Sequence, residues 1–356
     1  MSFFLREASL LSVMNNCFTS HRITRSLGLL GLVLGLTAAT CLGPSATAAE
    51  TKRGVQISEL PDRLRVEING KLFTEYSFKD VARPYCYPLL GPNGVPMTRD
   101  WPMKDSPGEA QDHPHHRSFW FAHGSINGND FWSEQKDFGK TVQERFTKIK
   151  SGRREGVIQS HNQWVARDGT VVCTDDRTLR IYNRPDNERL FDFEITLHAG
   201  KNDVTFGDTK EGTMALRLAE TMRLAPNKFK TGKPTGHIVN SEGVRDGETW
   251  GKRAAWCDYY GPVAGQTVGA AIFDHPQNPR FPTWWHVRDY GLFAANPFGR
   301  HDFEKLPDKS AGNLVVPADQ SVTFRYRFYL HEGDEKQAKV AERYAEFAKT
   351  KSVRSN

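Results

Sequence analysis

Residues 190–198 alternate with a period of two. Phe191, Phe193, Ile195 and Leu197 fall on one side, and Asp192, Glu194 and Thr196 on the other. Only a strand with one face in a core and one face outside satisfies such a pattern. Comparable short segments recur at 55–60, 63–68, 72–78, 142–149, 157–166, 178–182, 214–222, 254–260, 268–273 and 322–330, broken by Gly, Pro, Asn and Asp. Ile68-Asn69-Gly70-Lys71 carries a hairpin-turn signal. A single helix is expected over 334–349, capped by Asp334, with Ala338, Val340, Ala341, Tyr344 and Phe347 on its apolar side. Many strands and one terminal helix predict a mainly β protein, a large antiparallel β-sandwich with a C-terminal helix. The aromatic, Pro-rich stretches 84–135 and 274–313 fit no strand pattern and read as long loops, which in compact domains usually carry function.

Residues 1–48 read as a signal peptide. Arg22 and Arg25 flank a short apolar run at 27–36, and Ala46-Thr47-Ala48 has the small-x-small cleavage pattern. Met14 is a candidate start, and Cys41 offers a lipid-anchored alternative. Gly28, Gly31, Gly35 and Pro44 dilute the run, so no stable membrane span is expected after processing. The predicted mature chain, 49–356, reads as one domain exported to the periplasm or the extracellular space. Removing three arginines and one glutamate lowers the formal charge from +6 to +4. No Lys/Arg run suggests a nucleic-acid stripe, so no nucleic-acid partner is expected. Cys86, Cys173 and Cys257 are too scattered for a cysteine zinc site and read as small buried hydrophobes.

Four stretches could carry chemistry. The densest runs from 109 to 123, where His113, His115, His116 and His123 are four of the 12 histidines. If 112–116 is extended, His113 and His115 share a face and His116 points away. Such imidazoles suit hydrogen bonding to polyhydroxy ligands, proton transfer or a metal, or they simply stiffen a loop. A cupin-like His-x-His site would need a glutamate soon after, where Phe119, Trp120 and Phe121 stand. The second stretch, 127–134, places Trp132 beside Asn and Asp residues. Trp120 and Trp132 could stack on a sugar ring or belong to the core. The third, 206–212, holds Asp208 and Glu211, a candidate base or acid or a solvated turn. The fourth, 273–299, contains His275, Trp285, His286, Arg288, Asp289 and Asn296, polar groups among large apolar ones that must find partners or line a wet cleft. The shared His, Trp, Arg and Asp content predicts that all four converge on one cleft at one end of the sandwich.

At these residues the chain resembles the PmoA-like family of secreted bacterial proteins, labelled methane oxygenase PmoA. The matching stretches are Tyr87-Pro88-Leu89-Leu90-Gly91-Pro92-Asn93-Gly94, Asp112-His113-Pro114-His115-His116-Arg117-Ser118, Gly207-Asp208-Thr209-Lys210-Glu211-Gly212 and residues 285–299. The resemblance covers nearly the whole mature chain. It implies a β-supersandwich similar to the galactose-mutarotase class and no established reaction.

Three functional readings follow. The leading one is a secreted carbohydrate-binding or carbohydrate-active protein whose ligand is a saccharide or other small polar molecule. His115 or His286 would act as acid and Glu211 or Asp208 as base, with His116 a further candidate catalytic residue. His113, Arg117, Trp120, His123, Trp132, His275, Trp285, Arg288, Asp289 and Asn296 would bind the ligand. The second is a metal-dependent oxygenase or oxidoreductase, with a divalent metal on His113, His115, His116 and His123. The third is a non-catalytic envelope or binding module.

Overall fold

The first five strands, β1 (Val55–Glu59), β2 (Arg63–Ile68), β3 (Lys71–Ser77), β4 (Tyr85–Leu89) and β5 (Phe119–His123), pair in sequence order as an antiparallel meander. The turn between β2 and β3 is the expected one, with Asn69 and Gly70 both at positive φ. The chain then builds a second sheet from β6 (Lys140–Lys150), β7 (Glu155–Val165), β8 (Val171–Tyr182) and β9 (Glu188–His198). There follow β10 (Val204–Phe206), β11 (Gly212–Arg217), β12 (His237–Asn240), β13 (Trp256–Val263), β14 (Gln266–Asp274), β15 (Trp284–Val287) and β16 (Leu292–Asn296). The short helix α1 (Arg300–Glu304), β17 (Leu314–Val316), β18 (Ser321–Glu332) and the helix α2 (Val340–Phe347) complete it. This computed structural model describes residues 53–228 and 235–350, which belong to one compact unit. The expected signal sequence at 1–48, with Cys41, lies outside the described residues.

Two eight-stranded antiparallel sheets result. The first has the order β1-β2-β3-β4-β5-β11-β16-β15, and the second β12-β13-β14-β18-β9-β8-β7-β6. β10 and β17 form a separate pair. The inner faces meet through aromatic rings: Phe119 packs on Phe328 at 4.9 Å and on Phe191 at 5.4 Å, and Phe73 on Phe191 at 5.6 Å. Burying a side chain of this size stabilises the fold by roughly 1.5–3 kcal/mol. The alternation in 190–198 is realised in β9, where Phe191, Phe193, Ile195 and Leu197 all lie in this core. Cys86, Cys173 and Cys257 are buried free thiols, as expected. Among the described residues no helix is long and apolar enough to cross a membrane.

The terminal helix is shorter than expected. Residues 335–339 are turns, because Asp334 accepts the amides of Lys336 and Gln337 and Lys339 adopts a left-handed conformation. α2 therefore begins at Val340 and packs Val340 and Phe347 against Phe273, Trp256 and Tyr329 on the outside of the second sheet.

One polar network is sealed inside the sandwich. The carboxylate of Asp175 receives both arms of Arg177 at 2.8 Å, the indole N–H of Trp164 at 2.6 Å and the amide of Asn162 at 2.7 Å. Arg177 in turn lies over the rings of Phe121 and Trp164. Removing one partner of such a pair leaves an uncompensated buried charge, at a cost of about 3–5 kcal/mol. Asp175→Ala should lower the unfolding free energy by about that amount in a denaturant titration; a loss below about 1 kcal/mol, the level of a surface pair, would contradict this account.

Candidate functional site

The candidate site is built on the outer face of the first sheet. Antiparallel register aligns Tyr85, Trp120, Ala215, Ala294 and His286 in one row across β4, β5, β11, β16 and β15. At about 4.8 Å per strand, Trp120 and His286 stand roughly 14 Å apart. A flanking row holds Arg217 and Leu292, and the amide of Arg288 bonds the Leu292 carbonyl at 2.8 Å. The other flank holds Ala122, Thr213, Asn296 and Trp284. Small residues in the middle matter because loop rings lie on them: Trp120, Ala122, Trp132, Ala215, Leu292 and Ala294 form one buried cluster with Tyr85 and Tyr290 against it.

The histidine loop is not extended. His113 has positive φ, and the amide of His116 bonds the His113 carbonyl at 3.0 Å, which closes a turn. The three imidazoles therefore gather instead of splitting between two faces. His113 stacks on His116 at 4.7 Å and on Tyr290 at 5.2 Å, His116 stacks on Trp120 at 5.3 Å, and His115 sits edge-on to His116 at 4.5 Å. Two fully buried arginines hold this loop from beneath. Arg99 donates to the Asp112 carboxylate and to the carbonyls of Ala110, Asp112 and His113. Arg217 donates to the same carboxylate at 2.8 Å and to Nδ1 of His116 at 3.1 Å. Burial opposes ionisation of Asp112, but His113 and the two guanidiniums overcome it and hold its carboxyl far below the usual range. A third buried arginine, Arg83, bonds the carbonyls of His115, Phe131 and Trp132 and the Glu134 carboxylate, which also takes a bidentate pair from Arg117.

Hydrogen bonding assigns the tautomers. A guanidinium only donates, so Nδ1 of His116 is the acceptor and its proton sits on Nε2. The indole N–H of Trp250 donates to Nδ1 of His286 at 3.2 Å, with the same result. Neither Nε2 atom has a hydrogen-bond partner in the protein among the described residues, although His116 and His286 are only 1% and 3% exposed. Burial lowers the basicity of His115, His116 and His286. His115 drops to about 4, with Arg83 and His113 adding to the effect, and His286 drops to about 3, with Arg288, Lys210 and His113 adding. His116 lies well below its ordinary value, again through burial and then Arg217. At neutral pH His115, His116 and His286 thus present uncharged N–H donors rather than bases or cations.

Glu211 is half exposed and accepts from Lys210 Nζ at 2.7 Å. Its charge acts on the Tyr290 phenol, which burial pushes up to about 12. Asn296 holds the Glu211 loop by donating to the carbonyls of Thr209 and Lys210 at 3.0 and 2.9 Å, so it positions the loop. His115, Glu211 and His286 therefore do belong to one region, located on a sheet face and not at an end of the sandwich.

Several expected site residues lie elsewhere or are already occupied. His123 points to the opposite side of β5, bonds the Gly207 carbonyl at 2.9 Å and packs on Phe206 and Phe298. Gly212 leaves it room, since a Cβ there would stand 3.0 Å from its ring nitrogen. Asp208 is a loop anchor whose carboxylate takes the amides of His301 and Gly312 at 2.9 and 2.6 Å. His275 bonds the Thr350 carbonyl at 2.9 Å and packs on Phe347 of α2, away from this face. Trp285 faces the core and donates to the Ala254 carbonyl at 3.0 Å. Trp120 and Trp132 are each only 1% exposed, so their faces are closed to a sugar. Asp289 is exposed, and its carbonyl receives the amides of Leu224 and Ala225. The half-exposed rings are instead Tyr85, Trp250 and Tyr290. The buried arginines and Trp250 escaped the sequence reading, although an arginine in the apolar run Met214-Ala215-Leu216-Arg217-Leu218 is a signal of a buried, partnered charge.

A metal centre on His113, His115, His116 and His123 does not fit this geometry. His123 is behind the sheet, and the lone pair on Nδ1 of His116 faces Arg217. Among the described residues no group of three or more His, Cys, Asp or Glu is placed to hold an ion.

The pH dependence follows directly. Unfolded imidazoles take up protons near pH 6.5, whereas these folded ones do not until about 3–4. Their contribution to stability is complete above about 6.5 and is lost as pH falls toward their folded values. Denaturation midpoints should drop between pH 7 and 4, less steeply in His286→Gln. Ring nitrogen NMR at pH 6 should show His116 and His286 neutral with the proton on Nε2, and cationic rings there would overturn the assignment.

Comparison with solved structures returns distant likenesses. A galactose 1-epimerase from Lactobacillus acidophilus NCFM is 8% identical over 79% of this chain and 98% of its own, with a TM-score of 0.33. An alpha-galactosidase from Lactobacillus brevis is 9% identical over 80% of this chain and 40% of its own, with a TM-score of 0.28. A putative kojibiose phosphorylase from human microbiome is 9% identical over 55% of this chain, with a TM-score of 0.30, and this chain spans only 21% of it. At these scores no residue can be matched to a residue of those proteins. No curated protein sequence matches the chain. A family profile does match, over residues 63–345, and the chain belongs to that family, the family of unknown function DUF6807.

Proposed function

We propose that this protein binds a saccharide on the outer face of the first sheet and acts on it by proton transfer through Glu211. One observation carries the reading: His116 and His286 have Nδ1 occupied by a protein donor, so each keeps an uncharged, unpartnered Nε2–H just beneath the outer face, beside half-exposed aromatic rings. Ring faces for C–H surfaces, with fixed donors for hydroxyl and ring oxygens, are what a polyhydroxy ligand requires. The likenesses to carbohydrate-active enzymes point the same way but bear no weight. The reading includes export, which rests on the N-terminal sequence alone.

The chemistry differs from a histidine acid working with a carboxylate base. Imidazoles protonating only near 3–4 are poor proton carriers at neutral pH. Their N–H groups suit the stabilisation of negative charge developing on a sugar oxygen. Glu211, paired only through Lys210, is left as the group able to take a proton. The oxidoreductase reading that accompanies the PmoA resemblance finds no support in the histidine geometry. A binding module without turnover would use the same face.

Glycan-array binding followed by turnover assays on the bound glycans tests this. Glu211→Gln should reduce turnover by about 10²–10⁴-fold with little change in affinity. Turnover that survives the substitution would remove the catalytic assignment, and absence of binding to every saccharide would remove the whole reading.

A further inference from the structure

Every buried or half-buried arginine around the histidine loop has a carboxylate: Arg83 and Arg117 have Glu134, and Arg99 and Arg217 have Asp112. Arg288 has none. Its guanidinium lies 5.8 Å from the Trp250 ring centroid and 5.6 Å from that of Tyr290, and no hydrogen bond or ion pair to protein reaches it among the described residues. It is only half buried, so its charge is open to the face. Aromatic rings on its flanks fix a guanidinium while leaving its N–H edges unused.

Its neighbours sharpen the point. Trp250 also bonds His286, and Tyr290 stacks with His113, which stacks with His116. A path of contacts therefore runs from His116 to His286, with Arg288 near its middle and an uncharged N–H donor at each end. Of the charged groups nearby, Glu211 is engaged by Lys210, and Asp112 by Arg99 and Arg217.

We propose that Arg288 anchors the anionic group, carboxylate or sulfate, of an acidic saccharide bound on this face. This rests on the saccharide reading above and adds the ligand's charge. A planar fork of donors matches a planar carboxylate bidentately and also accepts a sulfate ester. The flanking N–H groups add donors without adding charge, and the rings contact the sugar.

Calorimetric titration with an oligogalacturonide, a sulfated galactan oligomer and a neutral galactan oligomer of equal length tests the proposal. At least one charged oligomer should bind about tenfold or more tighter than the neutral one, in a salt-sensitive manner. The charged arm that wins identifies the group. Arg288→Gln should abolish this preference while neutral binding persists, and Arg288→Lys should restore only part of it. Should Arg288→Gln destabilise the fold, the lysine variant and the wild-type salt dependence decide. Equal binding of neutral and charged oligomers, or a preference untouched by Arg288→Gln, overturns the anion anchor but leaves saccharide binding standing. Failure of all three oligomers, and of every glycan on the array, removes both.

Discussion

The carboxylate of Asp112 is shared by two guanidiniums that have no access to water, Arg99 and Arg217. The candidate site depends on this arrangement. A buried arginine is tolerable only when most of its donors are satisfied, and here the Arg99 guanidinium and both terminal nitrogens of Arg217 are satisfied by the backbone, the Asp112 carboxylate and the His116 ring, while Nε of Arg217 finds no partner. The loop needs the arginines to hold its shape, and the arginines need the loop to be neutralised. Arg217 then passes the constraint outward, because its remaining arm fixes the protonation site of His116. Burial pushes Arg217 down to about 10, and the like charge of Arg99 adds to this, yet it stays cationic at neutral pH and remains a donor.

This chain of dependence explains why His116 and His286, which looked like bases, are held as neutral donors. Their chemistry is decided by what sits behind each ring, an arginine or an indole, and both of those groups can only donate. The face is therefore rich in donors. Its acceptors, Asp112, Glu134 and Glu211, are each engaged by a neighbouring cation.

Strands with one wet face were legible in the sequence, as the alternation in β9 and the Asn-Gly turn before β3 show. The strands that carry the site were less so. β5, β15 and β16 are buried at every position, because the core covers one side and loops cover the other. A strand buried on both sides has no alternation to read and merges with the apolar loops around it. The site's residue types were visible as clusters, but their sides were not. Without β5 as a strand, nothing separates Trp120 from His123, which the pleat sends to opposite faces. His275 and His286 were equally persuasive as sequence, and only the path of the chain sends one toward α2 and the other to the first sheet.

The contact between Arg217 and Asp112 joins positions 105 apart in the chain. A nascent fragment that stops short of β11 lacks Arg217, so the histidine loop gains its full set of contacts only once distant segments have docked. By mass action, a molecule that occupies the finished face also stabilises the docked state. Occupancy should then be readable as resistance to proteolysis around residues 109–117, the loop that carries His115 and His116.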